Sequence, residues 1–357
     1  MRKRLVCLLS YSILFLNVRQ VLAQSLDNDE LPAAINCFST KTVLNEYANG
    51  QVGLTQALVQ FRGGEYLTEL MLAWGQQGTN ELASMTSSNG VDWENLVVQP
   101  GTYVQDWSGP PFAPGGVGMT RSSYCNATYV AWMDNHNNLW GALTTNGAIG
   151  FTSPYFIYGG AMSPPALRGD LSSLPIGFAY SIYNSTFELY DTRIGTFGCE
   201  FQNPVLLSGT IFGNFEGDYL QNGPWTPAYA GANGTTEIRG VAEGKDKAII
   251  YMLNAGPGQY SAGTNWADNG LAGAVNPATG RNYLAWTCSS PVTPTAGCKI
   301  ETNNINILNV NTGDLKVCTD WSTQMPSLWF YNNMLWVAWK GGDNNGGNVN
   351  VASMTPF

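Results

Sequence analysis

Met334-Leu335-Trp336-Val337-Ala338-Trp339 runs through Gly341-Gly342 into Asn348-Val349-Asn350-Val351, and this stretch sets the reading of the whole chain. An apolar segment rich in β-branched and aromatic residues ends on tryptophan. A Gly/Asn turn follows, then a second segment alternates apolar and polar residues. That is strand chemistry with a period of two, and no sustained 3.6-residue apolar period competes with it. The same phrase recurs upstream. Leu70 to Trp74 leads to Glu81–Met85, and Thr128 to Trp132 leads to Asn138–Leu143. Ile176 to Tyr180 leads to Thr186–Tyr190, and Asn282 to Trp286 leads to Ile305–Asn309. Ala248 to Tyr251 is a weaker copy. The anchors at 74, 132, 180, 251, 286 and 339 have a mean step of 53.

A step near fifty, built from short strands and turns, predicts four-stranded propeller blades. The expected fold is therefore all-β: a six-bladed β-propeller whose anchor segments are equivalent inner strands around one axis. The spacing is uneven at the fourth anchor, with steps of 71 and then 35, which reads as an insertion over 214–236 or a miscounted blade. The last repeat ends at Met354 without an outer strand, whereas Ile35, Phe38 and Val43 offer one near the N-terminus. Pairing the two would close the ring and hide a sheet edge. The competing fold, a two-sheet sandwich, would need fewer and longer strands.

Composition narrows the function. Of 357 residues, 44% are hydrophobic, 12% aromatic and only 11% charged, which excludes a charge-rich disordered chain. Arg2, Lys3 and Arg4 precede an apolar run from Leu5 to Leu16, and Val21-Leu22-Ala23 supplies a small-residue cleavage site. Residues 1–23 are thus expected to be a signal peptide and 24–357 a single propeller domain, secreted, periplasmic or at the cell surface. The apolar run falls short of the ~20 residues that span a bilayer, and no later segment reaches that length, so no membrane span is expected. From Gln24 onward 12 bases face 25 acids, a net charge of −13, which argues against nucleic acid as a partner.

Six cysteines follow residue 23: Cys37, Cys125, Cys199, Cys288, Cys298 and Cys318. An even count in a secreted chain points to disulfides. Cys288 and Cys298 flank Pro291, Pro294 and Gly297 and are expected to staple one loop, while the other four remain unassigned. Asn126, Asn184 and Asn233 head Asn-x-Ser/Thr sequons for glycosylation. His136 is the only histidine and no Cys-x-x-Cys exists, so no metal site is expected. Asp343-Asn344-Asn345 could offer oxygen ligands to calcium, but such turns are common without it, and no cofactor is assigned.

After the first repeat, Ser87-Ser88-Asn89-Gly90-Val91-Asp92-Trp93 resembles the Asp-box turn of sialidases and related propellers, with Asn for Asp and one residue fewer. Thr144–Gly147 with Phe151, and Asp191–Phe197, are looser echoes. Pro326 through Gly341 resembles the proline-to-tryptophan blade core of bacterial sialidase-like repeat proteins. The resemblance implies a sialidase-like propeller, with Asp boxes on the rim away from the active centre. Sialidases bind the substrate carboxylate with three arginines, protonate with an aspartate and attack with a tyrosine activated by a glutamate. On that pattern Arg62 of Phe61-Arg62-Gly63-Gly64, Glu237 and Arg239 are the candidate catalytic residues. A further family arginine is missing, its place falling at Met252, Leu253 and Asn254. Arg239 beside Glu237 could equally be a structural ion pair, and Arg193, inside a turn-like echo, a solvated loop charge. Arg168, Asp106, Trp107, Trp225 and Tyr219 are the candidate ligand-binding residues, since loop aromatics commonly stack on sugar rings. Glu216 and Asp218 flank the tyrosine as a possible carboxylate–phenol cluster. The expected function is a secreted carbohydrate-binding or interaction propeller lacking the full sialidase set. The alternatives are an exo-acting glycoside hydrolase on terminal acidic or neutral sugars, and an envelope or matrix protein.

Overall fold

The computed structural model describes residues 34–61, 63–106, 115–169, 176–185, 189–200, 205–210, 219–220, 227–232, 236–243, 248–253, 260–267, 270–287, 304–342 and 347–357. These residues form six antiparallel sheets. Blade 1 is Gly53–Gln60, Tyr66–Gly75, Leu82–Ser87 and Glu94–Gln99. Blade 2 is Val117–Ser122, Ala127–Met133, Asn138–Thr144 and Tyr155–Gly159. Blade 3 is Ala166–Arg168, Ile176–Asn184, Leu189–Phe197 and Val205–Thr210, with Tyr219–Leu220 paired beside its third strand. Blade 4 is Ala228–Ala232, Thr236–Glu243, Ala248–Leu253 and Tyr260–Trp266. Blade 5 is Ala272–Val275, Asn282–Thr287, Asn304–Asn309 and Asp314–Trp321. Blade 6 is Ser327–Tyr331, Met334–Lys340 and Asn348–Met354, completed by Thr40–Tyr47 from the N-terminal end. The first strand of each blade touches that of the next in cyclic order, and blade 6 returns to blade 1, so the ring is closed. This is the expected propeller with the expected closing strand, and the sandwich is excluded.

The anchors occupy different strands from those expected. Trp74, Trp132, Tyr180, Trp286 and Trp339 lie on the second strand of their blades, not the innermost. The innermost strands are shorter and carry weaker apolar signals, Ala166–Arg168 being the shortest. The fourth anchor, Tyr251, belongs to a third strand. Register identifies the true counterpart. Ala285 and Ala338, each one residue before its tryptophan, face the first inner-strand residues Ala272 and Ser327; in blade 4 Gly240 faces Ala228, which places Val241 at the anchor position. The steps around it become 61 and 45, so the irregular spacing needs neither a large insertion nor a lost blade.

The anchors sit in the seams between blades. Five apolar clusters fill five of the six seams. Trp74, Trp132, Trp286 and Trp339 are almost fully buried there, each facing the preceding blade. Burying one such indole contributes about 3–5 kcal/mol by the cost of truncating it to alanine. Trp339 also stacks on Phe38, with ring centroids 5.3 Å apart, which ties the closing segment into the seam between blades 5 and 6.

Among the described residues, two disulfides reinforce the ring. Cys37 bonds to Cys318 on the outer strand of blade 5, where Ile35 also makes a parallel bridge. The N-terminal segment therefore crosses from the edge of blade 5 to the edge of blade 6, and Lys41 pairs with Asp320 beside the crossing. Cys125 bonds to Cys199, joining blades 2 and 3. Cys288 and Cys298 lie outside the described residues, as do Asn233 and the Asp343–Asn345 turn. The two bridges are consistent with an extracellular chain. No helix among the described residues is long and apolar enough to cross a membrane.

The turn at 87–93 is held by its own side chains. Ser87 Oγ accepts from the Gly90 amide at 2.8 Å, and Asn89 Oδ1 accepts from the Val91 and Asp92 amides at 2.8 and 2.9 Å. Trp93 Nε1 donates to the Gly90 carbonyl at 3.1 Å. Gly90 has φ 75°, and a Cβ there would strike the ring of Trp336, so the turn needs glycine twice over. Asp191–Phe197 is no such turn. It forms the third strand of blade 3, and Arg193 pairs with the buried Asp191 at 2.6 Å, so it is not a solvated loop charge.

Candidate functional site

Six inner strands around an axis leave a central space, and their lengths decide its shape. Two cavities share it. The larger, about 520 Å³, opens at the end where inner strands turn into second strands. The smaller, about 50 Å³, lies at the other end. Met119, Leu167, Gly273 and Leu328 border both, forming an apolar waist. The Ser87–Trp93 turn lies on the rim at the same end as the larger pit, because third-to-fourth turns share that end with first-to-second turns.

The wall of the larger pit combines amide and hydroxyl groups with aromatic panels and aliphatic side chains. Gln56, Thr68 and Thr120 supply amide and hydroxyl groups on one side. Blade 6 supplies Trp329, Phe330 and Tyr331, followed by Asn332 and Asn333. These two asparagines are the whole loop of their hairpin, with φ of 49° and 60°. Asparagine tolerates the left-handed region that two-residue hairpin loops demand, so the local sequence fixes a tight turn and sets both amides at the mouth. Across the pit, Asn276 is buried and caps its own turn, its Oδ1 accepting from the Ala278 amide at 2.9 Å. Tyr331 Oη donates to the Thr68 carbonyl at 2.7 Å, locking blade 6 to blade 1. Burial pushes the Tyr331 phenol above its ordinary range, so it stays neutral.

Arg121 is the one charged residue among the described lining. It is only 7% exposed, and burial holds its pKa below the usual guanidinium value. Its Nη2 donates to Asn126 Oδ1 at 3.4 Å, whereas Nη1 has no hydrogen-bond partner. It is a mostly buried positive charge in the lining of an acidic chain.

The residues singled out from the sequence fall elsewhere. Arg168 and Arg239 are brought together, their guanidinium carbons 5.7 and 5.5 Å from the ring centre of buried Tyr229. That stack lies in the seam between blades 3 and 4, and none of its three residues is among the described pit lining. Asp106 is exposed on the connection from blade 1 to blade 2, at the end opposite the larger pit. The backbone of Glu237 pairs with Gly231, and that of Tyr219 with Asp191. Arg62, Trp107, Trp225, Glu216 and Asp218 lie outside the described residues. Of the sequons, Asn126 is exposed at the blade 2 turn and Asn184 ends the second strand of blade 3. No group of three or more histidine, cysteine, aspartate or glutamate side chains that could hold a metal occurs among the described residues.

No family model and no curated protein matches the chain. Solved structures do. A protein of unknown function from Dyadobacter fermentans is 11% identical, with a TM-score of 0.55, over 88% of this chain and 98% of its own. A six-bladed fungal lectin with a novel fucose recognition mode, from Aleuria aurantia, is 9% identical, with a TM-score of 0.51, over 87% and 97%. A mutant Trypanosoma rangeli sialidase displaying trans-sialidase activity is 9% identical, with a TM-score of 0.52, over 90% of this chain but 60% of that one. At such identities the likeness is one of fold, shared by propeller lectins and sialidases.

Proposed function

We propose that residues 1–23 are a signal peptide and that the mature chain is a secreted propeller that binds glycan in the larger axial pit. The observation that carries this reading is the lining. Asn332, Asn333, Gln56, Thr68 and Thr120 surround Trp329 and Tyr331, and no carboxylate is among the described lining residues. Neutral amides and hydroxyls match a sugar's hydroxyls, and aromatic faces match its apolar ring faces. Hydrolysis of the sialidase kind needs carboxylates at the reacting bond. The lining therefore favours binding over turnover, and a propeller lectin among the structural neighbours supports the same reading.

The test is tryptophan fluorescence titrated with a panel of methyl glycosides, neutral and acidic, on the mature protein and on Trp329→Phe. A saturable signal that Trp329→Phe removes or shifts is expected. Silence across the panel, or a signal indifferent to Trp329, would retire the pit as the site.

A further inference from the structure

Among the described residues, strand pairing in the first hairpin of blade 1 runs further than in the other blades. In blade 6 the hairpin closes after Tyr331↔Met334, five residues before the anchor Trp339, and in blade 2 after Ser122↔Ala127, five before Trp132. Blade 4 closes at Ala232↔Thr236, five before Val241, while blades 3 and 5 stop lower, at Arg168↔Gly177 and Val275↔Asn282. Blade 1 reaches the common level at Ala57↔Glu69, five before Trp74. It then adds Leu58↔Thr68, Val59↔Leu67 and Gln60↔Tyr66. Three more residues at ~3.3 Å each raise a wall of ~10 Å over one side of the pit.

The wall is braced on both sides, at its foot by Thr68 and in its last pair by Gln60. Tyr331 holds the Thr68 carbonyl, and on the blade 2 side the Gln60 amide donates to Asn146 Oδ1 at 3.2 Å. Alternate residues of a strand share a face, so Tyr66 continues the row of Thr68, which lines the pit. Blade 6 already turns at Asn332 and Asn333, and nothing in it among the described residues rises beside Tyr66, which is 50% exposed.

We infer that Tyr66 is the platform of a second sugar subsite, so that the ligand is an oligosaccharide with one unit in the pit and the next against the Tyr66 ring. This rests on the reading of the pit as a glycan site. The wall orients the chain: the pit is closed by its waist below, and the ring stands one level above its mouth, so a second unit leaving the pit along blade 1 meets an aromatic face.

The experiment compares chain lengths. Manno- and chito-oligosaccharides of one to four units are titrated by calorimetry into the mature protein, Tyr66→Ala and Tyr66→Trp. In the ladder that binds, two units are expected to bind about tenfold more tightly than one, as a single aromatic contact supplies. Tyr66→Ala should erase that gain and leave single-unit binding unchanged, while Tyr66→Trp keeps the gain. Equal affinity for one and two units, or a gain that survives Tyr66→Ala, overturns the second subsite and leaves the pit standing. If neither ladder nor any methyl glycoside binds, the pit falls and the subsite with it.

Discussion

Two seams of the ring use different chemistry. Between blades 5 and 6, Trp339, Val337, Tyr283, Ile307 and Phe330 make a continuous apolar contact. Between blades 3 and 4, the position two residues before the anchor is Arg239, where the other blades carry Leu72, Val130, Phe178, Leu284 and Val337. Tyr229 takes that guanidinium together with Arg168. Apolar seams gain roughly in proportion to buried area, whereas a cation over an aromatic face contributes only about 0.5–2 kcal/mol. One ring position can thus be held by directional contacts, provided its neighbours supply the bulk of the stability.

Trp339→Ala probes the strongest side of that contrast. It should lower stability by about 3–5 kcal/mol, read as a drop in the denaturant midpoint at constant slope. Tyr229→Leu keeps apolar bulk and removes the platform for both arginines. It should cost about 1–2 kcal/mol, and a loss as large as that of Trp339→Ala would erase the distinction between the seams.

The smallest effect concerns the seam between blades 1 and 2, where Glu69 is 1% exposed. Burial raises its pKa, opposed by the Thr86 hydrogen bond and reinforced by Glu94. A carboxyl with a raised folded-state pKa binds more protons folded than unfolded, so its contribution is full below the ordinary glutamate value and is lost as pH climbs through the folded value. Glu69→Gln should flatten that decline between acidic and neutral pH, measured as urea midpoints across the range. An unchanged slope would mean that Glu69 ionises alike in both states.

The same contrast explains how far the sequence could be read. The circle was legible because tryptophan or tyrosine ends an apolar strand in five blades, and the closing strand because the last repeat lacks a fourth member. The reading slipped at blade 4, where Thr236-Glu237-Ile238-Arg239 carries charges into a second strand and Ala248-Ile249-Ile250-Tyr251 mimics an anchor one strand later. The pit was harder to see. Its lining comes from short inner strands of six blades, and Asn332-Asn333 is a local hairpin signal that says nothing about facing an axis. In the sequence Trp107 and Trp225 stand near Gly or Pro, the setting expected of sugar-stacking loop aromatics, whereas Trp329 and Tyr331 lie in an apolar strand pattern that reads as core. Arg168 and Arg239 were candidates because of their charge, yet a guanidinium can as readily cement a seam as hold a ligand.

The crossing of residues 35–47 from blade 5 to blade 6 has a consequence for biosynthesis. Thr40–Tyr47 leaves the ribosome before any blade exists, yet its strand partner Asn348–Met354 is made last. Cys318, the thiol awaiting Cys37, also emerges only near the end of translation. The earliest segment must therefore wait unpaired while five blades assemble, and its capture is the step that turns an open arc into a sealed molecule. Nascent chains stalled before blade 6 would carry two bare apolar sheet faces, those of blades 1 and 5 that blade 6 covers, and those are the species for which quality control has to provide.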